Sequence, residues 1–139
     1  MSLVLDSSVT LAWIYSDETT EAIRLLFDTL ADDGAVVPRL WRLEVANSLT
    51  VAVRRRRIDA DFRRAALADL ALLDIRTDPD TDTYAWTGTL GLADRFRLTV
   101  YDAAYLELAQ RSGLPLATLD EALLTAAAAL RIGTLGISP

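Results

Sequence analysis

Four carboxylates interrupt apolar stretches of this 139-residue chain: Asp6, Glu44, Asp102 and Asp120. A carboxylate among apolar neighbours is costly to bury unless it is protonated, paired with a base or bound to a metal ion. Lysine is absent, because all 14 basic residues are arginines, and most of these lie elsewhere in the chain. Several carboxylates that converge without bases form the oxygen-rich ligand set that a hard cation prefers. These four residues, here called the acidic quartet, are therefore candidate metal ligands.

Each member of the acidic quartet also has a purely structural interpretation. The three aspartates could each cap the helix that follows them, since a side-chain oxygen at that position accepts a backbone N–H. Glu44 lies inside a predicted helix, where no backbone donor is free, and could pair with Arg39 or Arg42. Taken singly, each residue leaves both interpretations open. Three other acids lie in a polar segment and need no such explanation: Asp78, Asp80 and Asp82.

The composition excludes several kinds of chemistry. Without cysteine there is no disulfide framework and no thiolate metal site, and without histidine there is no Ser-His-Asp triad. The absence of lysine excludes Schiff-base chemistry and a Walker-type phosphate site. Carboxylates, hydroxyls, amides and arginine remain. At 52% hydrophobic and 24% charged, the chain has enough apolar material for one core.

Short apolar runs alternate with helical patterns along the chain. The runs predict strands at 3–5, 35–37, around Ile75, at 115–118 and at 134–137. The periodic segments predict helices over 9–14, 18–30, 40–56, from 59 or 61 to 73, 80–96, 100–109 and 121–130. Such alternation is typical of an α/β fold whose parallel sheet is covered on both faces. Ligands bind such sheets at the carboxyl ends of the strands, which is where Asp6 and Asp120 follow their predicted strands. No linker or repeat marks a boundary, so we expect a single domain over 1–139.

The order and spacing of four stretches resemble the PIN domain, and within it the VapC-type toxins. The stretches contain the acidic quartet in the contexts Val-Leu-Asp-Ser-Ser-Val, Leu-Glu-Val-Ala-Asn-Ser-Leu, Thr-Val-Tyr-Asp-Ala-Ala-Tyr and Ala-Thr-Leu-Asp. The resemblance covers essentially the whole chain. It implies a PIN-like three-layer α/β/α sandwich with a central parallel sheet of four to five short strands. It also implies that the quartet is catalytic and holds one or two Mg²⁺ or Mn²⁺ ions, supported by Ser8, Asn47 and Thr118.

The same resemblance implies an activity and partners. A VapC-type protein is expected to be a metal-dependent endoribonuclease that hydrolyses tRNA, rRNA or mRNA and inhibits translation and growth. Water rather than the ribose 2′-hydroxyl would attack, which leaves 5′-phosphate and 3′-hydroxyl ends. A homodimer, held inactive by a VapB-like antitoxin, is expected. The alternatives are a freestanding PIN nuclease in RNA processing and a catalytically degenerate PIN binding module.

One run of positive charge is a candidate RNA contact, formed by Arg54, Arg55, Arg56 and Arg57. It could follow the phosphate backbone, or it could simply complement the negative end of the long helix that it closes. The net charge of −6 argues against nonspecific binding to nucleic acid, although metal bound by the quartet would reduce it.

Two other enzyme classes begin with a strand-end aspartate but fit poorly. A haloacid-dehalogenase-type phosphatase needs a second aspartate two residues later, where this chain has Ser8, and it needs a lysine. A response-regulator receiver domain also needs a lysine. The N-terminus lacks the basic and apolar regions of a signal peptide, and no apolar run approaches the roughly 18 residues of a membrane span. We therefore expect a cytoplasmic protein without a membrane segment.

Overall fold

The computed structural model describes residues 2–135, which form five short strands and eight helices. The strands are β1 (Leu3–Leu5), β2 (Ala35–Val37), β3 (Ile75–Thr77), β4 (Leu116–Ala117) and β5 (Thr134–Leu135). The helices are α1 (Ser7–Ile14), α2 (Glu21–Asp33), α3 (Trp41–Arg54), α4 (Ala60–Ala71), α5 (Thr81–Tyr84), α6 (Gly88–Phe96), α7 (Val100–Ser112) and α8 (Glu121–Ala129). Across this range, no helix combines the length and the apolar character needed to cross a bilayer.

The strands form one parallel sheet in the order β3-β2-β1-β4-β5. The chain moves from β1 through β2 to β3 in one direction, and then from β4 to β5 in the other. Because crossovers between parallel strands are right-handed, the helices of the two halves cover opposite faces of the sheet. The predicted three-layer α/β/α sandwich is confirmed, with the upper number of the strands expected.

The centre of the core lies around β1 and β4. All three residues of β1 and both residues of β4 are buried, as expected for strands covered on both faces. Helix α7 packs against β1, and its seven residues 103–109 are all buried. This burial explains why its sequence is apolar on nearly every side rather than along one stripe.

Two of the differences between the predicted and the observed helices have an identifiable physical cause. The second helix begins at Glu21 rather than near 18, because the Thr20 side chain accepts the Ile23 N–H and caps it there. The single helix expected over 80–96 is divided into α5 and α6. The backbone leaves helical geometry at Thr87 (φ −122°, ψ −95°), directly before Gly88. The predicted end of the last strand, at 136–137, lies outside the described residues.

Candidate functional site

The carboxyl ends of β1 and β4 lie side by side at the point in the sheet where the strand order reverses. The chain leaves β1 towards one edge of the sheet and leaves β4 towards the other. A crevice opens at such a point in parallel sheets, and ligands bind there. Asp6 follows β1 directly, its backbone N–H bonds to the Ala117 carbonyl, and Thr118 and Asp120 follow β4. The topology therefore brings residues 112 positions apart into one place.

Two hydroxyls orient the carboxylate of Asp6, which is only 4% exposed. Ser8 Oγ and Thr118 Oγ1 each donate to Asp6 Oδ2 at 2.7 Å. Both hydroxyl oxygens also accept backbone N–H groups, from Leu119 at 3.0 Å and from Asp120 at 3.1 Å. Asp6 stands at the N-cap position of α1 but does not cap that helix. The capping interpretation of Asp6 is therefore wrong, and its carboxylate is held by Ser8 and Thr118 instead.

The protonation of Asp6 reflects its burial. Loss of water around the side chain raises the pKa of Asp6, while hydrogen bonds from Ser8, Thr118 and the Ser7 backbone lower it. The neighbouring charge of Asp120 raises the pKa further. The hydroxyls thus favour the charged form in a place that otherwise disfavours it.

Glu44, in the first turn of α3, lies near enough to Asp6 and Asp102 for their charges to act on it. Its Oε1 accepts a hydrogen bond from the hydroxyl of Tyr105, on α7, at 2.5 Å. Burial raises the pKa of Glu44, the Tyr105 hydrogen bond lowers it, and the charges of Asp6 and Asp102 raise it. Burial and the bond to Glu44 raise the pKa of Tyr105 far above its ordinary value, so the phenol stays protonated.

Asp102 and Asp120 differ in how their helices use them. Thr99 caps α7 by accepting the Asp102 N–H, so the carboxylate of Asp102 is not needed as a cap. Burial raises the pKa of Asp102, and the charges of Asp120 and Asp6 raise it further. Asp120 does cap α8, because its Oδ1 accepts the Leu123 N–H at 2.9 Å. The capping interpretation is thus wrong for Asp102 and right for one oxygen of Asp120.

The charges of the acidic quartet act on one another. Asp6 is affected by Asp120, Glu44 by Asp6 and Asp102, and Asp102 by Asp120 and Asp6. Within residues 2–135, no arginine forms an ion pair with any of the four. Over the same range, no three or more acidic side chains lie close enough together, as they stand, to hold a metal ion. The donor chemistry, carboxylate oxygens without bases, fits a hard divalent cation, which would also relieve their repulsion.

The other predicted site residues lie at different distances from the quartet. Ser8 and Thr118 contact Asp6 directly, whereas Asn47 is exposed one turn after Glu44 on α3. The four arginines from 54 to 57 stand at the opposite end of α3, about 15 Å along the helix axis from Glu44. Arg57 pairs there with Asp17 and Glu18, and its guanidinium lies 3.8 Å from the centre of the Tyr15 ring. The structure therefore does not place this run beside the quartet.

Sequence reasoning missed two groups of residues. The sequence does not predict that Tyr105 binds Glu44, although the position of Tyr105 three residues after Asp102 places both on one side of α7. The neighbours of Asp78 predict a polar loop, yet Asp78 is buried, and Arg111 binds its Oδ2 at 2.6 Å. Arg111 also binds Glu107, which is buried one turn earlier on α7. The four-residue spacing of Glu107 and Arg111 was the available signal for that pair.

Comparisons with known proteins agree with this fold. A sequence model of the PIN domain matches residues 3–129. The crystal structure of PAE2754 from Pyrobaculum aerophilum superposes with a TM-score of 0.67 at 26% identity, covering 91% of this chain and 79% of that one. VapBC2 from Rickettsia felis, crystallised with a DNA fragment from their promoter, gives a TM-score of 0.65, with 96% and 97% coverage. Its identity of 11% makes this a likeness of fold alone. A search of curated protein sequences found no match.

Proposed function

The chain belongs to the PIN-domain family, and from this premise we propose that it is a Mg²⁺- or Mn²⁺-dependent endoribonuclease that hydrolyses RNA phosphodiester bonds. PIN domains are generally nucleases. The observation that carries the proposal is the buried carboxylate of Asp6 at the carboxyl ends of β1 and β4, which Ser8 and Thr118 hold and which lies within electrostatic reach of the other three acids. Carboxylates that repel one another without a paired base bind a divalent cation favourably.

Each residue of the site has a defined part in this proposal. The acidic quartet would hold the ion, with Asp6 oriented by Ser8 and Thr118 through its Oδ2. A bound divalent ion lowers the pKa of a coordinated water and stabilises negative charge on phosphoryl oxygens, which replaces the histidine that this chain lacks. Hydrolysis by water would leave 5′-phosphate and 3′-hydroxyl ends. Asn47, which is exposed one turn after Glu44, would contact the substrate.

We further infer that the nuclease is the toxin of a VapBC-type pair and inhibits translation and growth. The likeness of fold to VapBC2, named for a toxin–antitoxin pair, supports this. A disordered antitoxin tail could place an arginine or lysine among the acids, where it would compete with the cation. Apolar residues of the tail could occupy the groove of about 170 Å³ between α1 and α4, which is lined by Trp13, Ile14 and Phe62.

The proposal includes a homodimer of a single-domain, cytoplasmic protein. Leu43 and Tyr101 are 76% and 65% exposed, although both are large and apolar in character. They line an apolar groove of about 320 Å³ together with Leu40, Val100 and Ala104. Exposed apolar surface of this kind is typical of protein–protein contacts. Light scattering of the purified protein tests the dimer.

Cleavage of RNA by the purified protein tests the nuclease. We expect cleavage with Mg²⁺ or Mn²⁺, none in EDTA, and none by an Asp6→Asn variant. Asp28→Asn, on the exposed side of α2, makes the same chemical change far from the site and should leave cleavage intact. Sequencing of RNA ends after induced expression would identify the cleaved RNA and its end chemistry. A folded protein that cleaves no RNA with either metal contradicts the enzyme and favours a degenerate binding module.

Co-expression tests the toxin role separately. The chain should arrest growth when expressed alone, and an antitoxin encoded beside it should co-purify with it and relieve the arrest. If cleavage is observed but neither co-purification nor relief is found, the protein is a freestanding nuclease. In that case the enzyme survives and the toxin–antitoxin assignment does not.

A further inference from the structure

Tyr105 is a buried residue whose one polar side-chain atom faces the acidic quartet. It lies in the second turn of α7 with 0% exposure, among the largest fully buried side chains of the described residues. Its hydroxyl donates to Glu44 Oε1, from a position 61 residues away in the chain. A buried phenol needs a hydrogen-bond partner. Of all the groups that could satisfy it, the fold supplies a proposed metal ligand.

The bond engages one of the two oxygens of Glu44. Glu44 extends from α3 on a long side chain and is half-buried. Its Oε1 accepts the hydrogen bond from the phenol, and Ser7 also hydrogen-bonds to the Glu44 carboxylate, whereas Oε2 is not part of the bond to the phenol. Asp6 shows the same division, because Ser8 and Thr118 both donate to its Oδ2. In both acids, neutral hydroxyl donors hold the carboxylate and thereby restrict its orientation.

We propose that Tyr105 is a positioning residue that holds Glu44 by its Oε1 and presents Oε2 to the divalent cation. The inference rests on the proposed function, since it assigns Tyr105 a role toward the cation of that same site. A neutral donor is suited to this task, because it orients the carboxylate without neutralising the charge that attracts the ion. A lysine or arginine in its place would compete with the cation. Groups that orient metal ligands typically change metal affinity by about 10- to 100-fold when they are removed.

The test is the affinity of the purified protein for Mn²⁺ alone, measured from the electron paramagnetic resonance signal of free Mn²⁺. Tyr105→Phe removes the hydroxyl and keeps the ring that packs in the core. We expect its Kd for Mn²⁺ to rise about 10-fold or more. Tyr84→Phe is the matched control, because it removes a phenol hydroxyl from a ring that packs under Arg111, outside the quartet. Its Kd should equal that of the unchanged protein.

A double-mutant cycle separates positioning from a general effect on the fold. In a Glu44→Gln background, Tyr105→Phe should change the Kd by less than about twofold, since the residue through which it acts is gone. Urea unfolding in EDTA shows whether each variant is folded. If Tyr105→Phe does not fold, Tyr105→Met fills the same space with a flexible apolar side chain and repeats the measurement.

The outcomes distinguish this inference from the proposed function. If the unchanged protein binds Mn²⁺ and Tyr105→Phe binds it equally well, the positioning role is wrong and the proposed function stands. An equal loss of affinity in both backgrounds also overturns the role, because Tyr105 would then act without Glu44. If the unchanged protein itself binds no Mn²⁺, the proposed function and the inference both fail.

Discussion

Replacing Thr118 with valine removes one hydroxyl from the centre of the site and keeps the shape of the side chain. Thr118 is fully buried. Its Oγ1 donates to Asp6 Oδ2 at 2.7 Å and accepts the Asp120 N–H at 3.1 Å. Valine breaks both bonds, so Asp6 keeps only one hydroxyl donor. We expect Thr118→Val to lower both the stability of the metal-free protein and the rate of RNA cleavage.

The loss of stability can be worked out from these two bonds. A hydrogen bond to a charged group contributes about 1.5–3 kcal/mol. The Asp120 N–H belongs to a half-buried residue that water can reach, so its loss costs about 0.5 kcal/mol. The added methyl group of valine regains up to about 0.8 kcal/mol. The free energy of unfolding should therefore fall by about 2 kcal/mol, which for a chain of this size lowers Tm by about 5–8 °C.

The effect of Thr118→Val should depend on pH in a defined direction. The Thr118 hydroxyl lowers the pKa of Asp6, against the larger effect of burial that raises it. Its removal therefore raises the pKa of Asp6 further in the variant. The difference in stability should be complete above both pKa values and should shrink as the pH falls through them. At low pH the carboxyl is protonated in both proteins and the charged bond no longer distinguishes them.

Urea unfolding followed by circular dichroism, in EDTA at about pH 7 and again at about pH 4.5, measures both quantities. Cleavage should fall by about 10- to 100-fold, as expected for a residue that orients a metal ligand. Thr125→Val makes the same substitution on the exposed side of α8 and should change neither property. A Thr118→Val protein as stable as the original at both pH values would refute the role assigned to these hydrogen bonds.

Three further predictions follow from the same charges and contacts. Asp6→Asn should reduce cleavage by more than the roughly 100-fold that is typical of groups that orient a metal ligand. The metal-free protein should stay as stable or become more stable, because one repelling charge is lost. A cleavage assay and a thermal melt measure the two effects, and full activity in the folded variant would remove Asp6 from the site. Burial raises the pKa of three quartet acids in the folded protein. These acids therefore bind protons more tightly in the folded than in the unfolded state. The resulting gain in folding stability is complete below the unfolded pKa and is lost as the pH rises through the folded pKa values. The metal-free protein should therefore gain stability as the pH falls from neutral towards about 5, and Mg²⁺ should abolish the gain; urea titrations with and without Mg²⁺ test this, and an unchanged gain in Mg²⁺ would contradict it. Arg111→Gln should lower the free energy of unfolding by about 3 kcal/mol, since it leaves the buried acids Asp78 and Glu107 without their cation. Arg64→Gln, which breaks an exposed ion pair, should have little effect when both variants are compared by thermal melts.

The elements of the fold were largely predictable because their signals are local. The apolar run before Asp6, and the one before Asp120, each predicted a strand followed by an acid. The rule that parallel strands share a carboxyl edge then predicted that these two acids approach each other. The sequence pattern failed where a boundary depends on one capping contact, as at Thr20, or on the backbone at Thr87.

The contacts of the site were harder to predict because they depend on long-range packing. The pairing of Tyr105 with Glu44 requires α3 and α7 to meet above the sheet edge, which no local pattern contains. The burial of Asp78 likewise depends on Arg111, 33 residues later. The residues next to Asp78 predict an exposed aspartate in a loop, and only the distant partner Arg111 explains why the burial of this carboxylate is tolerated.

The hydrogen bond between Tyr105 and Glu44 also joins two layers of the fold at the site. Helix α3 belongs to the connection from β2 to β3, and helix α7 belongs to the connection from β3 to β4. These two connections run in opposite directions across the sheet, so the two helices cover opposite faces. Asp102 lies three residues before Tyr105 on α7, which is about 4.5 Å along the helix axis. The phenol therefore holds Glu44, which belongs to the helix layer of α3, at a fixed distance from Asp102, which belongs to the helix layer of α7. The distance between these two acids therefore depends on the packing of α7 as well as on the strands. Substitutions in the buried segment 103–109 should change the positions of the quartet more than substitutions on the exposed side of α2.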